Sequence, residues 1–331
     1  MKDPFFPENQ LPYVDGVKSL IIADISTREA AVRTGKADYG GTLPKEQAEN
    51  LIKTNPELKY VKIPSASPSG LAWRVDKPEL PFYDKRVRQA LSMAVDRQAI
   101  IKAIYGGDGD WYAYPVRNMA EYAHFYTPLE KLPDSAREVL ELHPDKAKQL
   151  LADAGYPNGF KTSVLTTAAY VDILSIIKDN WSKVGVDLSI DVKETAVYTA
   201  GWIALNFEIV TFSTSTSGTF PFTFFSEDPG MRTYTNTGQV NDPVINEALK
   251  KVQGDDYFDP AKKAQHMRDL TPYMVENSFN LSLPVGWVYT FWTPWVKNYN
   301  GEQSIGYIHG TDFERFIWYD QDLKFKMTGR R

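Results

Sequence analysis

The sequence predicts an α/β protein of more than one lobe, on three observations. Short apolar, strand-like runs alternate with amphipathic helical segments along most of the chain. Glycine and proline punctuate the ends of those segments. A Ser/Pro/Gly stretch at Ser65–Gly70 separates an early group of elements from a later one, and a domain crossing is expected there. With 331 residues, 43% of them hydrophobic, the chain has material for substantial cores and more than one domain.

In the early group, Ser19–Ala23 (SLIIA) reads as a short buried strand. Asp24 to Thr27 then supply side chains that accept from the free amides of a starting helix. That helix, Thr27–Thr34, closes at Gly35. A second short helix follows Pro44, and Lys59–Ile63 is again strand-like. Beyond the Ser/Pro/Gly stretch come the run LAWRV at Leu71–Val75 and a restrained loop at Pro78–Pro81. A long helix, Asp84–Ile104, follows. Val87, Ala90, Leu91, Ala94 and Val95 form its apolar stripe at i, i+3, i+4, i+7 and i+8, while Lys85, Arg88, Gln89 and Arg97 face elsewhere. Gly106-Gly107 ends it.

A helix from Pro144 closes at Gly155, with Asp145 near its free amides. Phe160–Leu165 is strand-like, Val171–Val184 is an amphipathic helix closed by Gly185, and Val186–Val192 alternates as a half-buried strand does. This succession predicts a second α/β lobe. Ser213–Gly218 reads as a polar loop and Phe220–Phe225 as an aromatic run. Pro243–Val252 and Pro260–Val275 read as helices and Leu281–Val285 as a strand. Trp287–Trp295 is dense in aromatic residues.

Composition excludes several chemistries. There is no cysteine, so disulfides, thiolate nucleophiles and cysteine-held zinc are absent. None of the four histidines pairs with another at i,i+4, which leaves a metal site without support, and no cofactor is expected. A formal net charge of −5 argues against a broadly basic nucleic-acid surface. No window approaches the roughly 20 apolar residues that cross a bilayer. Met1 is followed by KDPFFPENQLP, which has no apolar run of the export-signal kind. A catalytic reading finds no G-x-S-x-G elbow, no P-loop at Gly106–Gly109 and no G-x-G-x-x-G fingerprint.

Four blocks carry a resemblance. They are YVDGV at Tyr13–Val17, TREAAVRTGKADY at Thr27–Tyr39, PFYDKRVRQALSMAVDRQAI at Pro81–Ile100 and PWVKNYNGE at Pro294–Glu302. Together they resemble the extracytoplasmic solute-binding proteins of ABC importers, in the dipeptide-, oligopeptide- and nickel-binding group, family 5. Arg28, Gly35 and Asp38 stand where that family has an R…G…D pattern, and Trp318, Asp320 and Leu323 resemble its C-terminal finish. The resemblance implies a periplasmic-binding-protein-like α/β fold of two lobes joined by hinge crossovers. The first lobe is expected to be incomplete, because relatives have a long portion before the YVDGV-like block. It places a partial first lobe at 1–68, a second α/β lobe at 69–296 and a C-terminal return to the first lobe at 297–331.

The function so implied is capture of a small solute, a peptide or peptide-like compound, for delivery to a membrane-embedded ABC permease, without catalysis. A monomer is expected, with no nucleic-acid partner. The expected place of work is the periplasm or the outer face of the cytoplasmic membrane. The alternatives are a ligand-binding signalling module and an inactive truncated fragment; a hydrolase has little support.

The expected cleft residues are Tyr39, Gly40 and Gly41 at a loop edge; Trp73 and Arg74 beyond the crossover; Ser215, Thr216, Ser217, Phe220 and Phe222 in the polar and aromatic loop; and Trp287 and Trp292 in the late cluster. Arg74 replaces the asparagine usual in the family, and its paired N–H donors suit a carboxylate. Peptide-binding relatives place an amine-binding aspartate near the loop, whereas this chain reads SerThrSerGlyThrPhePro. The ligand is therefore expected to differ from a standard free peptide. Simple turn, core or hinge-packing roles remain open for each of these residues.

Overall fold

The structure, a computed structural model, describes residues 2–3, 6, 8–65, 69–112, 114–116, 118, 122–213, 236–301 and 312–330. The chain divides into two compact units, Met1–Ser65 with Trp287–Arg331, and Ala66–Gly286. In chain order the strands are β1 (Tyr39–Leu43), β2 (Lys59–Pro64), β3 (Ser69–Trp73), β4 (Gly109–Asp110), β5 (Phe160–Thr166), β6 (Val186–Val192), β7 (Ile209–Ser213), β8 (Asn280–Ser282), β9 (Val285–Trp292), β10 (Val296–Lys297) and β11 (Trp318–Tyr319).

The larger unit is built on a mixed sheet of order β6-β5-β7-β3-β8. β5 is parallel to β6 and β7, and β3 is antiparallel to β7 and β8. Its main core joins Leu71 and Trp73 of β3 to Val87, Ala90, Leu91, Ala94 and Val95, the helical stripe read from the sequence. Trp181 is fully buried in the same core, and its Nε1 donates to the Leu91 carbonyl at 3.0 Å. A second core gathers Tyr112, Tyr114, Ile245, Leu249, Met267 and Met274, partly from the helices Pro243–Gln253 and Pro260–Asn277.

The long helix expected at Asp84–Ile104 is two helices, Lys85–Met93 and Arg97–Tyr105. Asp96 causes the break. Its carboxylate accepts from the Ala99 amide at 2.8 Å, which starts a new helix, and its own N–H donates to Asn180 Oδ1 at 2.7 Å. The two arginines expected to face away from the core are buried instead, Arg88 at 5% and Arg97 at 3% exposure. Carbonyl oxygens receive them. Arg88 donates to Asn277, Phe82 and Tyr83, and Arg97 to Ser92 and Leu140. A guanidinium, with five donors in one plane, can bind converging carbonyls at once. Burial lowers both to about 10, so both stay charged at neutral pH. Arg86 stays at the surface, paired with Asp84 at 2.6 Å.

In the smaller unit β9 lies between β1 and β2, antiparallel to both. Val32, Leu43, Ala48, Leu51, Tyr289 and Phe291 form one core, and Trp292, Trp295, Val296, Tyr299, Phe313 and Ile317 another. The first helix is Ile25–Arg33, capped by Asp24, whose carboxylate accepts from the Thr27 amide at 2.7 Å. Arg28, Gly35 and Asp38 have structural tasks here. Arg28 donates to the carbonyls of Ile22 and Thr42. Gly35 has φ +65°, and a Cβ there would meet the Trp295 ring at 3.2 Å. Asp38 accepts from Trp295 Nε1 at 2.7 Å.

Two sequence expectations fail here. Ser19–Ala23 is not a strand: Ile21 is fully exposed and Leu20 is 39% exposed. A strand needs a neighbour for its amides, and no sheet hydrogen bond joins this stretch to any described residue. The later boundary also moves. The chain returns to the smaller unit at Trp287, ten residues before the expected 297, because β9 pairs Trp287 with Pro64 and continues along β2 to Lys59.

Candidate functional site

Trp73, which ends β3, and Arg74, which follows it, were expected to face a cleft and are both buried. Trp73 has no exposed surface. Its ring stacks on Phe82 with centroids 5.8 Å apart, and its Nε1 donates to the Ser278 carbonyl at 2.9 Å. Arg74 is buried, and its fork is occupied. Nε and Nη2 donate to the two oxygens of Asp76, each at 2.7 Å, and Nη1 donates to the Leu205 carbonyl at 2.5 Å. That leaves no free edge for a solute carboxylate, so neither residue presents the surface read from the sequence. Glu208, the acid preceding the loop, is also engaged, accepting from Thr162 Oγ1 at 2.7 Å.

Burial pulls Asp76 upward, but the hydrogen bonds and charge of Arg74 outweigh it and hold the carboxyl below its ordinary value of 3.8. A carboxylate depressed by folding stabilises the fold above its unfolded pKa and loses that contribution as pH falls through the folded value. Asp76→Asn is therefore expected to lower stability at neutral pH. The gap to the parent should narrow once pH drops below 3.8, the ordinary value. Urea midpoints measured from neutral to acid pH check this; a constant gap contradicts it.

Tyr39, Gly40 and Gly41 lie on β1, a strand and not a loop edge. Gly41 is the extra residue of a bulge: Gly40 pairs with Phe291 and Thr42 with Thr290, with nothing opposite Gly41. Gly40 has φ +86° and open space where a side chain would stand. Tyr39 pairs across the strands with Trp292, one of the expected late tryptophans. Tyr39 and Trp292 both pack against Tyr299, with centroids at 5.3 and 5.1 Å. Trp292 is 6% exposed, which makes it core. Trp287 is half-buried with Lys62 Nζ 5.4 Å from its ring centre. Ser215, Thr216, Ser217, Phe220 and Phe222 lie outside the described residues.

Tyr39 and Gly40 border a cavity of about 800 Å³ within the smaller unit. Its wall mixes aromatic rings with opposed charges: Tyr319 and Trp318, Asp38 and Glu314, Lys36 and Lys324. Tyr39 donates its hydroxyl to Glu314 Oε1 at 2.5 Å. Burial first, then Glu314, pushes the Tyr39 phenol far up; burial first, then Asp38, does the same to Tyr319. Both remain neutral donors at any physiological pH. The wall offers hydrogen bonds and apolar faces, the equipment of binding. Among the described residues no three His, Asp or Glu side chains gather as a metal site would require.

A sequence profile described as "Bacterial extracellular solute-binding proteins, family 5 Middle" matches residues 3–234. The glutathione-binding protein GsiB of Pectobacterium atrosepticum is 30% identical over 214 residues, 59% of this chain and 39% of that protein. The chain thus spans about two-fifths of that relative's length. Among solved structures, HbpA2 from Haemophilus parasuis superposes with a TM-score of 0.68 at 24% identity, over 91% of this chain and 57% of that one. The PBP AgaA in complex with agropinic acid, from A. tumefaciens R10, gives a TM-score of 0.68 at 23% identity, over 90% and 60%. Likeness at that identity establishes the shared α/β fold. The profile covers well over half of the sequence, and the chain belongs to the bacterial extracellular solute-binding proteins of family 5.

Proposed function

We propose that this chain supplies binding surface for a small peptide-like solute, held outside the cytoplasmic membrane and passed unchanged to an ABC permease. The observation that carries the reading is the family match over residues 3–234, joined to 30% identity with a protein named for binding glutathione. The described surfaces are consistent with it. They offer aromatic faces, neutral phenol donors and paired charges, the groups that hold a polar solute reversibly. Among the described residues no helix is long and apolar enough to cross a membrane.

Thermal melting of the purified chain with glutathione, dipeptides and tripeptides tests the proposal. A ligand that binds only the folded state stabilises it by about 2.7 kcal/mol at a hundred times its Kd. At least one peptide-like compound is expected to raise the melting temperature in a saturable way, and titration calorimetry should then show binding without turnover. No shift with any member of the set, at millimolar concentration, overturns the reading.

A further inference from the structure

Residues 17–25, VKSLIIADI, are complementary to themselves when one copy is laid antiparallel on another. Centred on Ile21, the pairing sets Val17 opposite Ile25, Lys18 opposite Asp24, Ser19 opposite Ala23 and Leu20 opposite Ile22, with Ile21 facing Ile21. Branched apolar residues meet branched apolar residues, small meets small, and each lysine meets an aspartate. Such cross-strand pairs are what stabilise a sheet, whereas like charges directly opposite destabilise it.

The structure leaves this stretch open. Between Gly16 and Ala23 it takes no helix or turn, and no ladder hydrogen bond joins it to the described residues. Val17, Leu20, Ile21 and Ile25 are all exposed. Leu20 and Ile22 border the cavity of the smaller unit, while Ile21 between them stands fully in solvent, the alternation of an extended chain. Arg28 anchors the stretch beside β1, donating from Nη2 to the Ile22 carbonyl and from Nη1 to the Thr42 carbonyl, each at 3.0 Å, with a longer contact to the Ala23 carbonyl at 3.5 Å. With the Ile22 carbonyl taken, the register in which Ser19, Ile21 and Ala23 exchange bonds with a second strand is the favoured one. Asp24 caps the following helix through Oδ1, which accepts from the Thr27 amide and hydroxyl, each at 2.7 Å. Its Oδ2 is left for a lysine of a second copy.

An exposed apolar stretch with no ladder of its own is a template for another strand. The match of charge and of side-chain size selects the same stretch of an identical chain. Such pairing is isologous and closes as a dimer. We propose that residues 17–25 form a homodimer interface, paired antiparallel with themselves about a two-fold axis through Ile21. The resemblance implied a monomer; this pairing stands apart from solute capture and does not depend on it. One pair of short strands makes a small interface, so the dimer is expected to dissociate on dilution.

Sedimentation equilibrium across about 1 μM to 1 mM protein spans the range in which so small an interface dissociates. The parent is expected to pass from monomer to dimer within it. Ile21→Lys places two like charges face to face on the axis and should remain monomeric throughout. Lys18→Glu sets glutamate against Asp24 at both ends and should weaken dimerisation roughly 10-fold. Register is read separately. The chain has no cysteine, so Ile21→Cys carries a single thiol. Opposed residues in an antiparallel pair have Cα atoms about 4.5–5.5 Å apart, inside the span a disulfide bridges. Mild oxidation with diamide should therefore link two Ile21→Cys chains. Ser19→Cys places its two thiols about 13 Å apart across the axis and should not link. Far-UV spectra confirm folding, and if Ile21→Lys does not fold, the two cysteine variants still decide. A monomer at every concentration with no Ile21→Cys link overturns the proposal. So does a dimer that survives Ile21→Lys, or equal linking of Ser19→Cys and Ile21→Cys.

Discussion

Trp73→Ala is expected to destabilise the larger unit by about 3–5 kcal/mol, the range for deleting a fully buried large aromatic ring. The indole has no exposed surface, stacks on Phe82 at 5.8 Å and bridges β3 to the Ser278 carbonyl. Alanine removes the stack, leaves a void in the main core and strands that carbonyl. Ser278 cannot easily turn it elsewhere, since the residue is held at φ +45° where it closes the helix Pro260–Asn277. Against a typical total of 5–15 kcal/mol, the loss is a large share of the whole. Trp73→Phe keeps most of the apolar area but not the hydrogen bond and should cost about 1–3 kcal/mol. Urea unfolding followed by far-UV circular dichroism ranks the three proteins. If Trp73→Ala unfolds at the parent's midpoint, the residue is not the core element described, and a ligand-facing role returns.

Gly159→Ala is the second large effect. Gly159 precedes β5 at φ +71°, and Gly185 precedes β6, its parallel neighbour, at φ +86°. A Cβ on Gly159 would stand 1.8 Å from the Gly185 carbonyl oxygen and 2.4 Å from its carbon. Those atoms are backbone and cannot swing aside, so the first pair of the ladder, Phe160 with Val186, must open. Gly106 separates the two contributions. It closes the helix Arg97–Tyr105 at φ +59° with nothing within 4 Å of a would-be Cβ. Gly106→Ala should show the left-handed cost alone, about 1–2 kcal/mol. Gly159→Ala should exceed about 3 kcal/mol, or fail to fold. Equal melting temperatures for the two variants would mean that close approach at Gly159 contributes nothing.

The strand and helix succession of the larger unit was readable because periodicity and glycine position are local properties. The stripe Val87, Ala90, Leu91, Ala94 and Val95 is in the core as its spacing required. The break at Asp96 also had a local signal, an aspartate able to cap a new helix, but the apolar stripe running up to Val95 concealed the start of a second helix. The arginines had no such signal. A charged side chain in a helix normally faces water, and only the converging carbonyls of Asn277, Phe82 and Tyr83 make Arg88 a buried residue.

The expected site was less legible than the fold. Trp-Arg at 73–74 carries both a cleft reading and a core reading. The partners that decide between them, Ser278 and Leu205, lie more than a hundred positions away.

By itself the sequence determined the family, the α/β class, the absence of thiol chemistry and the main amphipathic faces. Each of these is written in residue type or in short-range order. Tertiary structure alone decided which charged and aromatic side chains are buried. Those outcomes depend on desolvation and on partners distant in the chain, which no local pattern encodes.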